Sequence, residues 1–440
     1  MASNGTGRAA IVGAGIVGLS AAWFLQEEGF AVTVYDRGDV AAGASAGNAG
    51  WLTPAFAAPL PEPAALRTAL TSLLHRDSPL RISPSALPGT WRFLAEFAAR
   101  STPRRWLAGA AGFAPINALA LSGYDELAAG GVKAPVTEAP FVAVFDRADE
   151  AGPLRHELKV SADHGQAVEV TDLTERELHA ERPLLSGRAR FGLRIGGQRY
   201  LQPLEYVQSL ADAVRSRGAA FEMGRAVSAA GPRAGGGARV VAAGRPADFD
   251  VCVLAHGAWI GRLARTAGVR VPVVAGRGYS FHVRLAEPLP APVYLPGIRV
   301  ACTPAPGGMR LAGTMEFRPA DAPLDQRRIE AIVRPARSYL PGADWSAVTG
   351  RWVGSRPVTA DGLPLIGRTQ GDGVYVAGGH GMWGMTLGPA TGRLLAEYIT
   401  TGQRPEALAA FDPLRRTGLS GLASSPPGSA LSKPGRARGA

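Results

Sequence analysis

The stretch AAIVGAGIVG, residues 9–18, joins a short apolar run to the pattern G-x-G-x-x-G. The apolar run predicts a buried strand, and the spacing of apolar residues over 16–28 predicts a helix that Gly29 ends. A second strand is predicted over 31–35, and Asp36 follows it. A strand, a glycine turn, a helix and a second strand that ends at an acidic residue together predict a dinucleotide-binding unit.

Each glycine of the motif has a physical task in such a unit. Gly13 permits the tight turn, Gly15 lets the backbone approach a pyrophosphate, and Gly18 lets the helix pack closely on the strand. The helix N-terminus carries partial positive charge that suits phosphates, and a carboxylate at Asp36 accepts hydrogen bonds from ribose hydroxyls. FAD and NAD share this fingerprint, so the motif leaves both open, with a glycine turn that binds no ligand as the alternative to either.

A loop of small residues, GASAGNAG at 43–50, follows the second strand. Its Ser45 and Asn48 suit contact with the remainder of a long cofactor. The loop also contains G-x-S-x-G, the nucleophile motif of α/β-hydrolases, which requires a helix directly after the turn. The next residues, WLTP at 51–54, cannot continue as a helix, because proline does not fit a helix interior. The sequence therefore favours a cofactor-binding loop over an esterase.

Two kinds of secondary-structure pattern alternate along the rest of the chain. Buried strand–helix elements occur at the N-terminus, near 205–260 and near 373–400, and strands typical of a half-exposed antiparallel sheet occur at 191–195, 278–284, 299–303 and 309–314. Helices are predicted over 150–164, 204–217 and 389–399 and, separated by Pro103 and Pro115, within 88–130. The pattern predicts an α/β fold, with a Rossmann-type domain built from separated segments and an inserted α+β substrate domain that contains an antiparallel sheet. The predicted nucleotide-binding domain comprises residues 1–56, 164–268 and 348–410, and the predicted substrate domain comprises 57–163 and 269–347.

Composition excludes several classes of protein. With 46% hydrophobic and 19% charged residues, the chain is typical of globular proteins and unlike fibrous or disordered ones. Cys252 and Cys302 are the only cysteines, so the sequence predicts neither a disulfide framework nor a metal site. The formal net charge is +11, and three of the 47 basic residues are lysines. Because the arginines are spread along the chain and no nucleic-acid-binding motif occurs, a nucleic-acid partner is the disfavoured alternative.

Four motifs resemble those of a known family and occur in the same order. They are SAGNAGWLTP at 45–54, GRGYS at 276–280, GSRPVTADGLPLIG at 354–367 and GHGMWGMTL at 379–387. They are similar to motifs of the D-amino-acid dehydrogenase small-subunit family, within the wider D-amino-acid oxidase and glycine oxidase superfamily. The chain departs from the family at Arg277, where lysine is usual, and in its proline-rich basic tail. The resemblance implies a Rossmann-type FAD-binding domain. It also implies noncovalent FAD, because no Cys or His stands at the positions that related oxidases use for covalent attachment.

The resemblance also implies roles for individual residues. Arg356 aligns with the arginine that pairs with the substrate carboxylate, and a planar guanidinium can hold a carboxylate through two hydrogen bonds. Tyr294 matches a tyrosine that lies over the substrate, although an ordinary strand aromatic is the alternative. Arg356 and Tyr294 are therefore the expected catalytic residues, and Tyr279 is a third candidate for substrate binding, with core packing as its alternative. His380 could be a general base, but a structural histidine in a glycine loop is favoured.

The expected FAD site combines the glycine motif, the ribose carboxylate, the loop after the second strand, an adenine-contacting strand and the 381–386 loop. Backbone N–H groups of this last loop and the following helix N-terminus would stabilise negative charge on the reduced flavin. The residues expected to bind FAD are Ile11, Val12, Gly13, Ala14, Gly15, Ile16, Val17, Gly18, Asp36, Arg37, Ser45, Asn48, Ala49, Gly50, Val227, Gly381, Met382, Gly384, Met385 and Thr386.

Together these features predict an FAD-dependent enzyme that oxidatively deaminates D-amino acids, or closely related amino and imino acids, to 2-oxo acids by hydride transfer from Cα to flavin N5. The alternatives are glycine, sarcosine, hydroxyproline or opine oxidation on the same scaffold, and an NAD-dependent dehydrogenase. The electron acceptor is open between a quinone and O₂. With no signal peptide at its start, the chain is expected in the cytoplasm, and its basic tail suits peripheral contact with the inner face of the plasma membrane. That tail includes Arg415 and Arg416, and residues 417–440 are expected to be disordered.

Overall fold

The glycine motif lies between a strand and a helix, in the arrangement that its sequence predicts. The computed structural model describes residues 7–62, 80–82 and 88–416 of the chain. The strand at Arg8–Val12 is buried at every position but the first, and the helix at Ile16–Glu27 packs nine buried residues against the core. The predicted bounds of this first unit are therefore confirmed to within one residue.

The described residues form strands and helices whose bounds are as follows. The strands are β1 Arg8–Val12, β2 Ala31–Tyr35, β3 Trp51–Leu52, β4 Leu80–Ile82, β5 Thr137–Glu138, β6 Phe141–Phe145, β7 Val170–Thr174, β8 Phe191–Ile195, β9 Arg199–Tyr200, β10 Ala220–Glu222, β11 Val227–Pro232, β12 Ala238–Ala242, β13 Arg245–Phe249, β14 Val251–Leu254, β15 Val273–Leu285, β16 Val293–Leu295, β17 Val300–Ala305, β18 Gly308–Phe317, β19 Ala343–Thr359, β20 Leu365–Arg368 and β21 Val374–Gly378. The helices are α1 Ile16–Glu27, α2 Pro88–Arg100, α3 Pro103–Ala118, α4 Ala120–Ala129, α5 Gly152–Asp163, α6 Glu175–Glu181, α7 Pro203–Ser216, α8 Gly261–Thr266, α9 Gln326–Tyr339 and α10 Gly384–Thr401.

A six-stranded sheet in the order β10-β2-β1-β14-β21-β20 forms the first half of the architecture. All neighbouring strands in it are parallel except β20, which runs antiparallel to β21. Helices α1, α7 and α10 share one hydrophobic core on it, because their apolar faces cover the buried side chains of the strands. The parallel arrangement brings the carboxyl ends of β1, β2, β14 and β21 to one edge.

A nine-stranded mixed sheet forms the second half, in the order β19-β15-β18-β17-β16-β6-β8-β7 with β4 paired to β18. One face of β15, β17 and β18 packs against α9, in a core that includes Phe281, Leu311 and Ile329. The other face meets the loop after β2: the Ser280 hydroxyl donates to the carbonyl of Gly47 at 2.6 Å. The loop after β2 therefore lies between the two sheets. The predicted α/β fold with an added antiparallel sheet is confirmed.

The sheets divide the chain differently from the predicted domains. The start of the predicted nucleotide-binding segment 348–410 belongs to β19 of the nine-stranded sheet, and two whole regions are also assigned differently. β7 and β8, within predicted nucleotide-binding residues 164–268, belong to the nine-stranded sheet. α3 and α4, within predicted substrate residues 57–163, contribute Phe113 and Tyr124 to the core of the six-stranded sheet. These differences arise because strand pairing and helix docking depend on contacts between distant residues, which local periodicity does not specify.

Two helix predictions also need correction. Pro115 does not separate two helices but lies inside α3, and the helix expected over 389–399 begins five residues earlier, so that Pro389 is internal as well. Prolines within a helix remove one hydrogen bond each, and here the surrounding core holds the helix together. The tail expected to be disordered, 417–440, lies outside the described residues.

The last described residues are fixed by an ion pair. Arg415 binds both carboxylate oxygens of Asp361, at 2.8 and 3.0 Å, and also donates to the carbonyls of Leu363 and Pro364. Burial alone would raise the pKa of Asp361, but the charge and hydrogen bonds of Arg415 outweigh it and lower that pKa. The Arg415 guanidinium is thus bound to residues of the folded chain. This corrects its assignment to a basic tail that contacts membranes.

Candidate functional site

A cleft of about 540 Å³ opens where the parallel strands end. The residues at the carboxyl ends of β1, β2, β14 and β21 line it, among them Gly13, Asp36, Ala255 and Gly378. Open α/β sheets bind their ligands at this edge. The long strand β19 of the other sheet contributes Arg356 to the lining, so residues of both halves of the molecule surround the cleft.

Close packing accounts for two of the three motif glycines. A Cβ on Gly18 would stand 1.9 Å from the carbonyl oxygen of Gly13, and a Cβ on Gly13 would stand 2.5 Å from that of Ala255. Gly13 also has a φ of +118°, a conformation that residues with a Cβ rarely adopt. A Cβ on Gly15 would stand 3.0 Å from the Ser45 hydroxyl, the one atom of the described residues, chain neighbours aside, that it would meet within 4 Å. The glycine that the sequence places beside a pyrophosphate therefore lies on the wall of the cleft, where the Ser45 side chain restricts the space above it.

Two helix N-termini point into the cleft. Gly15 and Ile16 at the start of α1, and Gly384 and Met385 at the start of α10, all line it. Neither helix has a side-chain hydrogen bond at its N-cap or an acidic residue in its first turn. In α1 the Ile16 N–H donates to the Ser45 hydroxyl at 3.1 Å. The partial positive charge of both N-termini, which no acidic residue of the first turn offsets, suits an anionic ligand.

The Asp36 carboxylate is held rigidly at the end of β2. One oxygen accepts from the backbone N–H of Ala14 at 2.8 Å, and the other accepts from that of Gly38 at 2.9 Å. Each oxygen keeps a lone pair for a hydroxyl donor. The geometry suits a ribose bound beside Asp36.

An interdomain contact, which we call the Asp321 clasp, consists of Arg37, Trp259 and Asp321. The Asp321 carboxylate accepts from Arg37 Nη2 at 2.6 Å and from Trp259 Nε1 at 3.0 Å, and the Arg37 guanidinium lies 4.0 Å from the centre of a Trp259 ring. Arg37 and Trp259 line the cleft, whereas Asp321 follows β18 of the other sheet. Beside it, the Ser355 hydroxyl donates to the carbonyl of Ala320 at 2.9 Å. The clasp therefore joins the two halves at the ribose end of the cleft.

Arg356 is a largely buried cation that has no acidic partner in the part of the chain that the structure describes. Its Nη1 donates to the carbonyl of Thr314 at 2.8 Å, and no carboxylate of the described residues lies within 4.0 Å of it. Burial lowers its pKa to about 10, so it stays charged at neutral pH. An uncompensated buried charge is costly, and a ligand anion would relieve the cost.

Two histidines line the cleft, and both are neutral at pH 7. Burial lowers the pKa of His256 and of His380 to about 4. His380 Nε2 lies 3.0 Å from the Thr391 hydroxyl inside α10, which fits the structural interpretation of this residue. His256 Nδ1 is buried and has no hydrogen-bond partner among the described residues.

The structure brings most of the predicted cofactor residues to the cleft but not all. Those that line it are Val12, Gly13, Gly15, Ile16, Val17, Asp36, Arg37, Ser45, Asn48, Val227, Gly381, Met382, Gly384 and Met385. Those that do not are Ile11, Ala14, Gly18, Ala49, Gly50 and Thr386. Their contacts explain why: Ala49 and Gly50 face Thr303 and Leu201, and the Thr386 hydroxyl bonds the backbone of Trp51.

Neither predicted substrate tyrosine lines the cleft. Tyr279 alternates along β15 with Gly278 and Ser280 and therefore points to the opposite face of the sheet. There it is buried, and its hydroxyl donates to Glu316 Oε2 at 2.6 Å, which corrects its expected place in the pocket. Tyr294 packs edge-on against Trp51, with ring centres 5.6 Å apart.

Tyr294 nevertheless shares a face with cleft residues. Register pairs it with Ala301, which pairs with Ala312, then Ser280, then Trp352, so the five form one row across the sheet. Trp352 lines the cleft from the far end of this row. Burial, followed by the charge of Glu157, raises the pKa of Tyr294 to about 12. Its hydroxyl is therefore protonated at neutral pH.

Sequence reasoning missed several residues that line the cleft. They are Arg225, His256, Trp259, Arg262 and Trp352. The signal for two of them was present, because His256 and Trp259 follow the buried strand β14 at its carboxyl end, as Asp36 follows β2. Arg225 lies in a loop, Arg262 in α8 and Trp352 in β19, and their place at the cleft depends on tertiary packing and strand register, which the sequence does not specify.

The family model described as FAD dependent oxidoreductase matches residues 8–398, which include the cleft. The chain belongs to this family. A D-amino acid dehydrogenase of Xanthobacter autotrophicus is 30% identical to this oxidoreductase over 409 residues, covering 91% of this chain and 96% of that protein. This confirms the resemblance found in the motifs.

Solved structures share the fold of this oxidoreductase. The glycine oxidase of Geobacillus kaustophilus superposes with a TM-score of 0.71 at 23% identity, covering 94% of this chain and 100% of that one. The iminodiacetate oxidase of Chelativorans sp. BNC1 gives 0.66 at 21% identity, covering 92% and 99%.

FAD is the cofactor of this family, and the residues of this oxidoreductase fit it. Gly15 on the wall of the cleft, the two helix N-termini without acidic caps and the fixed Asp36 carboxylate suit a pyrophosphate, a flavin and a ribose. Among the residues that the structure describes, no cluster of three His, Cys, Asp or Glu could hold a metal ion. Over the same residues, no helix has the length and apolar character to cross a membrane.

Proposed function

We propose that this oxidoreductase deaminates D-amino acids, or closely related amino and imino acids, to 2-oxo acids. The observation that carries the proposal is Arg356, a buried guanidinium at the cofactor cleft that has no acidic partner among the described residues. An anionic ligand relieves the cost of burying such a charge. An amino acid carries a carboxylate next to its reacting carbon, and the curated relatives are named for D-amino acids.

In the proposed mechanism, Arg356 holds the substrate carboxylate through two N–H groups and thereby fixes the orientation of Cα. When bound, FAD supplies the two-electron acceptor for the Cα hydride. The amine enters neutral, so that loss of the hydride leaves a protonated imine, which water hydrolyses to the 2-oxo acid and ammonium. Asp36 is the only carboxylate among the described lining residues, and His256 and His380 are neutral. The cleft therefore suits orientation rather than general acid–base catalysis.

Tyr294 is proposed as a second substrate-side residue because it lies on the cleft-facing side of the sheet. Its protonated hydroxyl could donate to a substrate carboxylate. Tyr294→Phe tests this role: a raised KM with unchanged FAD content supports it, and unchanged kinetics assigns Tyr294 to packing against Trp51.

The substrate is tested with D- and L-amino acids, glycine, sarcosine, proline and iminodiacetate. Each is assayed with a dye acceptor and, in parallel, with O₂. We expect D-amino acids to be preferred, and a preference for glycine, sarcosine or iminodiacetate would replace the proposal with the alternative on the same scaffold. A purified protein that contains no flavin, and takes none up, would refute both.

The acceptor, a quinone or O₂, belongs to the same proposal. Peroxide formed as fast as dye is reduced identifies an oxidase, and dye reduction without peroxide identifies a dehydrogenase. Peripheral membrane contact through the basic tail is tested by sedimentation with anionic lipid vesicles at low and high salt. Truncation after Arg416 should abolish salt-sensitive sedimentation if the tail is responsible.

A further inference from the structure

The pairing between β15, the strand next to that of Arg356, and β18 is irregular. Arg277 of β15 faces Glu316 of β18, but Tyr279 faces Gly313, so Thr314 and Met315 both stand opposite the single residue Gly278. This is a β-bulge, with two residues on one strand against one on its partner. Thr314 has a φ of +61°, in the left-handed region that a β-branched residue strongly disfavours. Such strain persists only where the surrounding structure holds it.

The bulge places a carbonyl where a guanidinium can use it. The Thr314 carbonyl accepts from Arg356 Nη1 at 2.8 Å, and Met315 Sδ lies 3.8 Å from the same nitrogen. A carbonyl holds the guanidinium without cancelling its charge, whereas a carboxylate in the same place would neutralise it and compete with a ligand anion. The bulge therefore fixes Arg356 and leaves it cationic.

Gly278 provides the space in which the guanidinium lies. A Cβ on Gly278 would stand 2.2 Å from Arg356 Nη2, 2.3 Å from Cζ and 2.6 Å from Nη1. The φ of Gly278 is not in the left-handed region, so its backbone conformation does not require glycine. What requires glycine here is that the planar guanidinium lies directly on the strand backbone.

We propose that Gly278 and the Thr314–Met315 bulge are positioning elements for Arg356, which set the place of the substrate carboxylate. The inference rests on the proposed function, and it adds that the position of the guanidinium, not only its charge, determines binding. Displacement of a contact by about 1 Å can cost about 100-fold in rate. Gly278→Ala therefore perturbs carboxylate recognition although residue 278 itself donates no group to the substrate.

The test uses the FAD-loaded protein and compares Gly278→Ala with Gly342→Ala. Gly342 is an exposed glycine of the same half of the molecule, where an added Cβ would have no atom within 4 Å and where φ is not left-handed. Acetate binding is titrated through the flavin absorbance, and KM and kcat are measured with the best amino acid. For Gly278→Ala we expect an acetate Kd raised about 10- to 100-fold and a kcat/KM lowered by at least as much, with FAD content nearly unchanged. Gly342→Ala should match the wild type.

A double variant separates positioning from a general structural effect. If the Gly278→Ala substitution acts by displacing the guanidinium, Gly278→Ala combined with Arg356→Lys should bind acetate no more weakly than Arg356→Lys alone. Additive losses would overturn the inference. Should Gly278→Ala fail to fold, Arg356→Met in the same chain should restore folding by vacating the space, and failure to do so would also overturn it. Unchanged acetate binding in Arg356→Ala refutes the proposed function itself, whereas an effect there with none in Gly278→Ala refutes only this inference.

Discussion

Replacement of Arg356 by methionine should stabilise the protein while it destroys substrate binding. Burial lowers the pKa of this arginine from 12.5 to about 10. At about 1.4 kcal/mol per pKa unit, keeping the cation in place costs the folded state about 3 kcal/mol. Its hydrogen bond to the Thr314 carbonyl returns about 1–2 kcal/mol. Methionine keeps an apolar stem and lacks the charged guanidinium, so we expect Arg356→Met to gain about 1–2 kcal/mol.

The pH dependence follows from the direction of the shift. A cation whose pKa is lowered on folding destabilises the folded state at every pH below that pKa, and the cost is relieved only as pH rises from about 10 towards 12.5. The gain in Arg356→Met should therefore be constant between pH 6 and 9. Loss of the charged bidentate contact should raise KM for amino acids by about 30-fold or more.

Urea unfolding of the flavin-free protein, followed by tryptophan fluorescence, measures the gain. The matched control is Arg277→Met. Arg277 is also buried, but its guanidinium donates to the backbone carbonyls of Ala322 and Pro323, so this variant should lose stability. If Arg356→Met were instead destabilised as much as Arg277→Met, Arg356 would be a structural residue and its charge would not be held for a ligand.

Three further predictions concern the cofactor and the fold. Gly18→Ala places a Cβ 1.9 Å from the Gly13 carbonyl oxygen, so α1 must shift and FAD should be lost on gel filtration. The control Gly152→Ala, whose Cβ would have no atom within 4 Å, should retain FAD. Equal flavin content in the two variants would contradict the close packing of the motif. Asp321→Asn breaks the exposed ion pair of the Asp321 clasp and should speed FAD dissociation by about 5-fold or less, because such pairs contribute at most about 1 kcal/mol. FAD dissociation is measured by stopped-flow fluorescence, and an unchanged rate would show that the clasp does not help to retain the cofactor. Arg415→Ala leaves Asp361 buried without its partner and should cost about 3–5 kcal/mol, against about 0.5 kcal/mol or less for exposed Arg416→Ala. Since the pKa of Asp361 is lowered in the fold, the stabilisation from this pair is present above the unfolded pKa of about 4 and lost as pH falls below it, so the two proteins should converge in acid.

Local signals in the sequence predicted the first nucleotide-binding unit well. The run before Gly13, the helical spacing after it and the acid at Asp36 are short-range features, and each restricts the backbone directly. The four motifs in order likewise identified the family and with it FAD. Features of this kind lie within a few residues of one another, so one sequence contains them in full.

The parts that were missed depend on pairing between distant strands. β8 has the periodicity of any half-buried strand, and nothing in it indicates that it joins β6 rather than the parallel sheet. The β-bulge at Thr314 arises from a register shift between β18 and β15, and no residue type in the sequence indicates that shift. Tyr279 is the instructive case: the alternation G-Y-S already separates it from Gly278 and Ser280, but which face meets the cleft becomes known only when the sheet is assembled.

The most direct test of the account is anaerobic flavin reduction. The FAD-loaded protein is mixed with a D-amino acid without any added acceptor, and the flavin absorbance is followed for the wild type and for Arg356→Met. We predict rapid bleaching of the wild type to one reduced flavin per protein, whereas bleaching of the variant should require about 30-fold or more substrate. Bleaching of both proteins at the same substrate concentration would show that Arg356 does not bind the substrate carboxylate.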